Sequence, residues 1–416
     1  MENPPLGQPS DEDRPKLRPL EGFAIDHDHQ KMLALRDPSG LSPHVAQLPP
    51  LAVAVIQLCD GESTRDQICE EFFRRYQRRL EREALDGLLS QLDQALLLDS
   101  AHFREEAAKI FAEFARAEVR SAVHAGKSYP EEADKLIALL NQCYDPPHGP
   151  GRPQPGSGPL PKAIIAPHID FQRGGPAYAW AYRPLAEASE QPDLIILFGT
   201  DHNGIHHPFT LTKKHYDTPL GRLTTDGALV DELRKHGGGE ALLADERNHR
   251  GEHSLEFQAV WLRHILGSAM DSIPVLPILC GSMHHFIESA DDPAAAEEVG
   301  GFLGALHRAV AGRRVLWIAG ADLAHIGPRF GDGPLTQADR SSLEQSDQAA
   351  LQRAAAGDAT GWFQEIRREK DRRRVCGLSP VYALLSVAQP GRGRLAAYGQ
   401  CAAEEDSIVS IASLTY

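Results

Sequence analysis

Ala163-Ile164-Ile165-Ala166-Pro167-His168-Ile169-Asp170 is the stretch from which the fold of this 416-residue chain can be worked out. The apolar run at its start is typical of a short strand buried on both faces of a sheet. Pro167 ends the strand, because proline cannot donate a hydrogen bond to the sheet ladder. His168 therefore follows directly on the carboxyl end of a buried strand.

The same order, an apolar strand followed by a histidine, occurs twice more. The run 194–199 leads to His202, and the run 315–319 leads to His325. Continuous apolar runs favour parallel strands, and open parallel sheets bind ligands outside the carboxyl ends of their strands. We therefore expect the three histidines to converge at one edge of the sheet.

Strands and helices alternate from residue 162 to residue 416, which predicts an α/β domain with a largely parallel sheet sandwiched by helices. Its strands are predicted at 162–166, 194–199, 273–279, 315–319, 395–398 and 408–414. Its helices are predicted at 175–185, 226–235, 255–266, 294–311, 335–357 and 380–388.

The residues before this domain fall into three parts. Residues 1–20 are polar and contain prolines, which predicts a disordered lead-in. Residues 21–143 have apolar residues at helical intervals and are interpreted as a small helical interaction domain. The segment 144–161 is rich in proline and glycine and is interpreted as a linker, so we expect a chain from about residue 155 onward to fold by itself.

Composition excludes several classes of function. The formal net charge of -15 argues against a nucleic-acid-binding surface, and the basic run 367–374 is expected to be a solvated helix face. The six cysteines lack a C-x-x-C pair, which fits neither a disulfide framework nor a four-cysteine zinc site. The chain begins without a signal-like leader, and no apolar run reaches membrane-spanning length. We expect a cytoplasmic protein without a nucleic-acid or membrane partner.

Acidic and sulfur side chains accompany the histidines. Asp170, Asp201 and Asp322 each lie close in sequence to one of the three. Imidazole and carboxylate groups in one crevice can ligate a divalent metal, or can exchange protons as general acid and base. The thiols of Cys376 and Cys280 are each either a ligand or nucleophile, or simply a small buried apolar side chain.

A further polar cluster, residues 251–256, begins the helix predicted at 255–266. Ser254 is a candidate helix cap, and Glu256 lies in the first turn, where a carboxylate is favourable. Capping accounts for only part of this cluster.

Six motifs follow one another from residue 166 towards the C terminus: Ala166-Pro167-His168, Gly199-Thr200-Asp201-His202, Tyr216-Asp217-Thr218-Pro219-Leu220-Gly221, Glu252-His253-Ser254-Leu255-Glu256, Asp322-Leu323-Ala324-His325 and Cys376-Gly377. In this order and spacing they resemble the Memo-like family, called AmmeMemoRadiSam system protein B in prokaryotes. The resemblance implies a fold similar to that of the class III extradiol dioxygenases, in which two histidines and a glutamate hold non-haem iron; Memo-like proteins have a cysteine in place of the carboxylate.

The resemblance also implies a set of site residues. His168, His202 and Cys376 would ligate the metal. Asp322 and His325 would line the same pocket as catalytic residues, with His325 placed for proton transfer. Iron or copper is the implied metal, in keeping with a soft thiolate beside two imidazoles, and zinc is the alternative.

The expected function is a dioxygenase-like, metal-dependent redox enzyme whose small-molecule substrate is unknown. A metal-binding or adaptor protein without catalytic activity is the alternative, and a zinc hydrolase is a third reading. Two positions depart from the family pattern: Asp170-Phe171 replaces a glycine-tyrosine pair, and Gln258 replaces a histidine. Both concern substrate contacts, and Asp170 becomes a candidate for an additional carboxylate in the site.

The helical segment around Asp60-Gly61 resembles PqqD-like winged-helix modules, which bind peptide substrates of modifying enzymes. The resemblance implies a winged-helix-like domain that recruits a peptide or a protein partner, such as a partner in radical chemistry. An interaction or regulatory domain of another kind is the alternative.

Overall fold

The computed structural model describes residues 13–27, 30–204, 206–289, 291–404 and 406–416. The chain forms two compact units, Met1–Arg116 and Ala117–Tyr416. None of the helices in the described part of the chain combines the length and the apolar character that a membrane span requires.

The described residues of the first unit form a small antiparallel sheet of three strands, Glu21–His27, Gln30–Arg36 and Val45–Leu48 in that order, and four helices. A capping box between Thr64 and Gln67 fixes the start of the second helix. The three strands were not predicted; the apolar residues 32–35 of the middle strand, for example, form a continuous run, which periodicity alone does not distinguish from a helix. The elements are β1 (Glu21–His27), β2 (Gln30–Arg36), β3 (Val45–Leu48), α1 (Pro50–Ile56), α2 (Arg65–Tyr76), α3 (Arg82–Gln94) and α4 (Ala101–Arg116).

Part of the predicted disordered lead-in is ordered. Residues 1–12 lie outside the described residues, but Leu17 donates its backbone N–H to the Cys59 carbonyl at 3.2 Å. Arg18 forms a buried ion pair with Asp37 at 3.0 Å. Residues 13–20 therefore belong to the first unit, held by partners that are distant in sequence.

The second unit is an α/β domain, as predicted. Its strands are β4 (Val119–Arg120), β5 (Ala163–Ala166), β6 (Leu194–Thr200), β7 (Phe209–Leu211), β8 (His215–Thr218), β9 (Gly221–Leu223), β10 (Val275–Cys280), β11 (Val315–Gly320), β12 (His325–Ile326), β13 (Arg394–Ala402) and β14 (Ile408–Thr415). Its helices are α5 (Ala133–Gln142), α6 (Phe171–Ala186), α7 (Gly227–His236), α8 (Ala241–Ala244), α9 (His253–Leu266), α10 (His284–Ser289), α11 (Phe302–Ala309), α12 (Gln337–Ala355), α13 (Ala359–Arg368) and α14 (Leu378–Ala388).

The main sheet has the strand order β12-β14-β5-β11-β6-β10-β7, and β13 pairs with β14. The four central strands, β5, β11, β6 and β10, are parallel to one another. The outer strands β14 and β7 run antiparallel to their neighbours, so the sheet is mixed. One hydrophobic cluster packs α6 and α9 on the sheet, and another packs α7, α11 and α14.

The helix predicted at 294–311 is regular only over α11. The preceding residues form a 3-10 turn, Pro293–Ala295, and a π-helical turn, Glu297–Gly301. Two consecutive glycines, Gly300 and Gly301, weaken the α-helical preference at this point.

The division between the units falls earlier than the predicted linker at 144–161. Residues 117–149 belong to the second unit, where Leu136 and Leu140 of α5 are fully buried in the cluster around α6 and α9. Arg120, equally buried, forms an ion pair with Glu256 of α9. The sequence shows the prolines and glycines of 144–161 but not these long-range partners.

Candidate metal centre

The carboxyl ends of two central strands and the loop before α14 bring two histidines and a cysteine together. The ligand atoms of His168, His202 and Cys376 all lie within 4.8 Å of one another. His168 follows β5, His202 follows β6, and Cys376 lies directly before α14. The centroids of the two imidazole rings are 5.2 Å apart.

His168 is oriented by the backbone of the neighbouring strand. Its Nδ1 lies 2.9 Å from the Gly320 carbonyl oxygen, so Nδ1 carries the proton and donates it. Nε2 is left with its lone pair, 3.3 Å from Sγ of Cys376. Burial lowers the pKa of His168 and so favours the neutral imidazole, which is the form that binds a metal.

His202 is oriented by a carboxylate. Its Nδ1 lies 3.0 Å from Oε2 of Glu252, and its backbone N–H donates to the same oxygen at 3.1 Å. Burial lowers the pKa of His202, but the Glu252 carboxylate outweighs it and raises the pKa above its ordinary value. A carboxylate on one imidazole nitrogen is a common arrangement behind metal-binding histidines, because it fixes the ring and leaves the other nitrogen to the metal.

Cys376 is held by the backbone around it. Its carbonyl accepts a hydrogen bond from Oγ1 of Thr200 at 3.0 Å, and its Sγ lies 3.7 Å from the Asp322 carbonyl oxygen. Burial raises the pKa of the thiol well above its ordinary value. A cation bound by the two imidazoles would reverse this preference and favour the thiolate.

Asp322 and His325 occupy different places around the three ligand atoms. Oδ1 of Asp322 accepts the backbone N–H groups of His168 at 2.7 Å and Ile169 at 3.1 Å, so this carboxylate fixes the turn that carries His168. His325 has its Nδ1 3.2 Å from the Leu323 carbonyl oxygen. Burial lowers the pKa of His325 to about 4, so its ring is neutral at pH 7.

The other residues singled out from the sequence have local roles. Asp170, the candidate additional carboxylate of the site, caps α6 and pairs with Nε of Arg173 at 2.6 Å. Its carboxylate is therefore engaged at the start of the helix. Asp201 accepts a hydrogen bond from the Asn248 amide at 2.9 Å. Cys280 is 1% exposed and packs in the apolar core, as expected for a small buried apolar side chain rather than a ligand or nucleophile.

Phe171 and Gln258, which belong to the two departures from the family pattern, are buried structural side chains. The Gln258 amide donates to the Pro167 carbonyl at 2.9 Å, directly before His168, and its oxygen accepts the Tyr182 hydroxyl at 2.9 Å. Phe171 stacks on Tyr129 with ring centroids 5.6 Å apart.

Sequence reasoning missed the residues on the far side of His202. The ring of His253 stacks on His202 at 4.8 Å, and the ring of His124 lies 5.8 Å from His253. The ligand atoms of His202, Glu252 and His253 also lie within 4.8 Å of one another. The polar run 251–256 could have indicated Glu252 and His253 as site residues, but no feature of the sequence pointed to His124.

The donor set fits a transition metal. Two imidazoles present Nε2 because each Nδ1 is engaged elsewhere, by the Gly320 carbonyl in one case and by the Glu252 carboxylate in the other. A thiol completes the set, and soft sulfur with imidazole suits copper, iron and zinc better than magnesium or calcium.

Comparison with known proteins places this unit in a family. Residues 120–415 match the family model described as "Memo-like protein". The MEMO1 family protein of Methanopyrus kandleri is 27% identical over 307 residues, which cover 71% of this chain and 98% of the relative. That of Aquifex aeolicus is 25% identical over 324 residues, covering 76% of this chain and 78% of the relative. The MEMO1 family protein of Methanocaldococcus jannaschii is 30% identical over 215 residues, which cover 51% of this chain and 71% of the relative. The chain belongs to the Memo-like protein family.

Proposed function

We propose that the protein binds iron or copper through His168, His202 and Cys376 and acts as a metal-dependent oxidoreductase on a small molecule. One observation carries the proposal. The Nδ1 atoms of both imidazoles are engaged by backbone or carboxylate oxygens, which leaves both Nε2 atoms free beside a thiol, with 3.3 Å between Nε2 of His168 and Sγ. Such outer partners are typical of functional metal sites.

Iron or copper at these ligands would supply electron exchange with a substrate or with oxygen. The contribution of the protein is to hold the ligands and to move protons. Asp322 keeps the His168 turn in place. His325, neutral because burial lowers its pKa to about 4, is proposed to accept a proton at Nε2, since its Nδ1 faces the Leu323 carbonyl.

A metal-binding adaptor is the second candidate function. It is favoured by apolar side chains on the first unit, where Val45, Leu51 and Phe73 are about half exposed. Such side chains suit contact with a peptide or protein partner, as the PqqD-like resemblance implies. The six cysteines are free, which fits the reducing cytoplasm that we propose as the location.

Metal analysis of protein purified without oxygen, followed by an oxygen-consumption assay, tests the proposal. About one iron or copper per chain with oxygen consumption supports the oxidoreductase, provided that His168→Ala abolishes both. The matched control is His206→Ala, an exposed histidine that should change neither. Stoichiometric metal without turnover supports the adaptor, and zinc with hydrolytic activity contradicts the redox proposal.

A further inference from the structure

The loop that carries Cys376 has an unusual backbone. It connects α13 to α14, and three of its non-glycine residues, Lys370, Asp371 and Arg374, have φ angles of 56°, 48° and 53°. L-amino acids adopt this left-handed region rarely, and such conformations persist only where surrounding contacts hold them. The loop is therefore held in place by contacts with its surroundings.

One of these contacts is a buried ion pair of Arg373. Its side chain is only 8% exposed and forms an ion pair with Asp347 of α12, whose side chain is fully buried. A second carboxylate, Glu369, also pairs with this guanidinium. Oδ2 of Asp347 accepts the Tyr398 hydroxyl of β13 at 2.9 Å. Arg373 therefore connects the loop to α12 and, through Asp347, to β13. It is buried, whereas the basic run 367–374 was expected to be solvated.

The backbone of the same loop is joined to the turn that follows β11. The Arg373 carbonyl accepts the N–H of His325 at 2.8 Å, and the Cys376 N–H donates to the Leu323 carbonyl at 3.3 Å. The N–H of Gly377 donates to the Asp322 carbonyl at 2.9 Å. A Cβ atom on Gly377 would lie 2.4 Å from that carbonyl oxygen, so only glycine allows this approach.

We infer that Arg373 is a positioning residue for Cys376. By pairing with Asp347, it holds the loop against the turn of residues 322–325 and so fixes the distance between Sγ and Nε2 of His168. The consequence for a metal rests on the proposed function, but the geometric claim does not. Breaking the pair should release Cys376 even in protein that contains no metal.

The first test is the rate at which Cys376 is alkylated in the chelator-treated full-length chain, followed by peptide mass spectrometry. A buried hydrogen bond to a charged group holds a segment strongly enough that its loss in Arg373→Met should raise this rate about tenfold to a hundredfold. The buried Cys280 should keep its slow rate. Arg263→Met is the control in the same unit, because the Arg263 side chain is also only 10% exposed and pairs at 2.7 Å with a carboxylate, that of the exposed Asp271.

Cys376 labelling at the parent rate in folded Arg373→Met overturns the inference, as does equally fast labelling in the Arg263→Met control. If Arg373→Met does not fold, Asp347→Asn takes its place, because it removes the charge but keeps the shape. Arg373→Lys keeps the charge and should bring the labelling rate back toward that of the parent, and a rate equal to that of Arg373→Met would again contradict positioning by the ion pair.

Cobalt(II) titration connects the inference to the metal. The parent should show sulfur-to-cobalt charge-transfer absorption, and Arg373→Met should bind cobalt about 10–100-fold more weakly. Equal affinity in the two chains contradicts the inference. If the parent lacks the sulfur absorption, the proposed metal site fails instead, and the labelling rates still decide whether Arg373 positions Cys376.

Discussion

Removing the segment before residue 155 should unfold the second unit, although the proline- and glycine-rich stretch at 144–161 predicts the opposite. The segment contributes Arg120, whose guanidinium pairs with Glu256 and also donates to the carbonyls of His249 and Glu252, each at 2.9 Å. The pair has no exposed side-chain surface. Without Arg120, a carboxylate would remain buried and unpaired in α9, directly beside the residues that orient His202.

The size of the effect follows from what is buried. Loss of one partner of a buried ion pair costs about 3–5 kcal/mol. The same truncation removes four large apolar or aromatic side chains from the core, namely Tyr129, Leu136, Leu140 and Tyr144. At roughly 1.5–3 kcal/mol each, these contribute about 6–12 kcal/mol more. The total is comparable to the entire stability of an ordinary domain, about 5–15 kcal/mol.

Urea unfolding followed by circular dichroism compares three chains: full length, 117–416 and 155–416. We expect 117–416 to unfold cooperatively, with the near-ultraviolet spectrum of a packed core, and 155–416 to show no cooperative transition. Arg120→Met in 117–416 keeps the apolar core but removes the ion pair together with the hydrogen bonds to the His249 and Glu252 carbonyls, and it should lower the free energy of unfolding by at least about 3–5 kcal/mol. Cooperative unfolding of 155–416 at nearly the stability of 117–416 would refute the reasoning.

Three further predictions concern the metal centre and its surroundings. His168→Ala and His202→Ala should each remove most bound metal in elemental analysis, whereas His206→Ala, at an exposed histidine, should not; equal loss from all three would mean adventitious binding. Glu252→Gln should weaken metal retention about 10–100-fold in a chelator competition, because His202 loses its carboxylate partner, and unchanged retention would count against that role. Burial lowers the pKa of His249 to about 3, so the unfolded chain takes up this proton first as the pH falls below about 6.5. The neutral His249 therefore contributes fully to the free energy of unfolding above pH 6.5, and this contribution falls by about 1.4 kcal/mol per pH unit towards pH 3. Between pH 7 and pH 5, the free energy of unfolding measured in urea should therefore fall less in His249→Gln than in the parent.

The central strands of the second unit could be predicted because each is a nearly continuous apolar run. Every strand expected in this unit overlaps an observed one. The strands that were missed are β4, β7, β9 and β12, which have only two or three residues, and β8, whose sequence His215–Thr218 is not an apolar run. Helix α13 was missed because it follows α12 after only a short turn at Gly357 and ends in the basic run. The placement of His168 and His202 at strand ends followed from the same apolar runs.

The rest of the site depends on partners far apart in sequence. The sequence alone left Cys376 and Cys280 each as a candidate ligand or a buried thiol, and only the family resemblance favoured Cys376 as the ligand. The role of Glu252 behind His202 requires the pairing of a strand end with a helix start, 50 residues apart. His124 and Arg120 lie in a segment that looks like an ordinary helical connection until it is packed against α9.

X-ray absorption spectroscopy of the metal-loaded protein tests the central claim most directly. The proposed centre predicts an iron or copper ion with two imidazole ligands and one sulfur ligand, and loss of the sulfur scattering in Cys376→Ala with both imidazoles retained. A first shell without sulfur in the parent, or the same spectrum in parent and variant, would contradict a metal centre built from His168, His202 and Cys376.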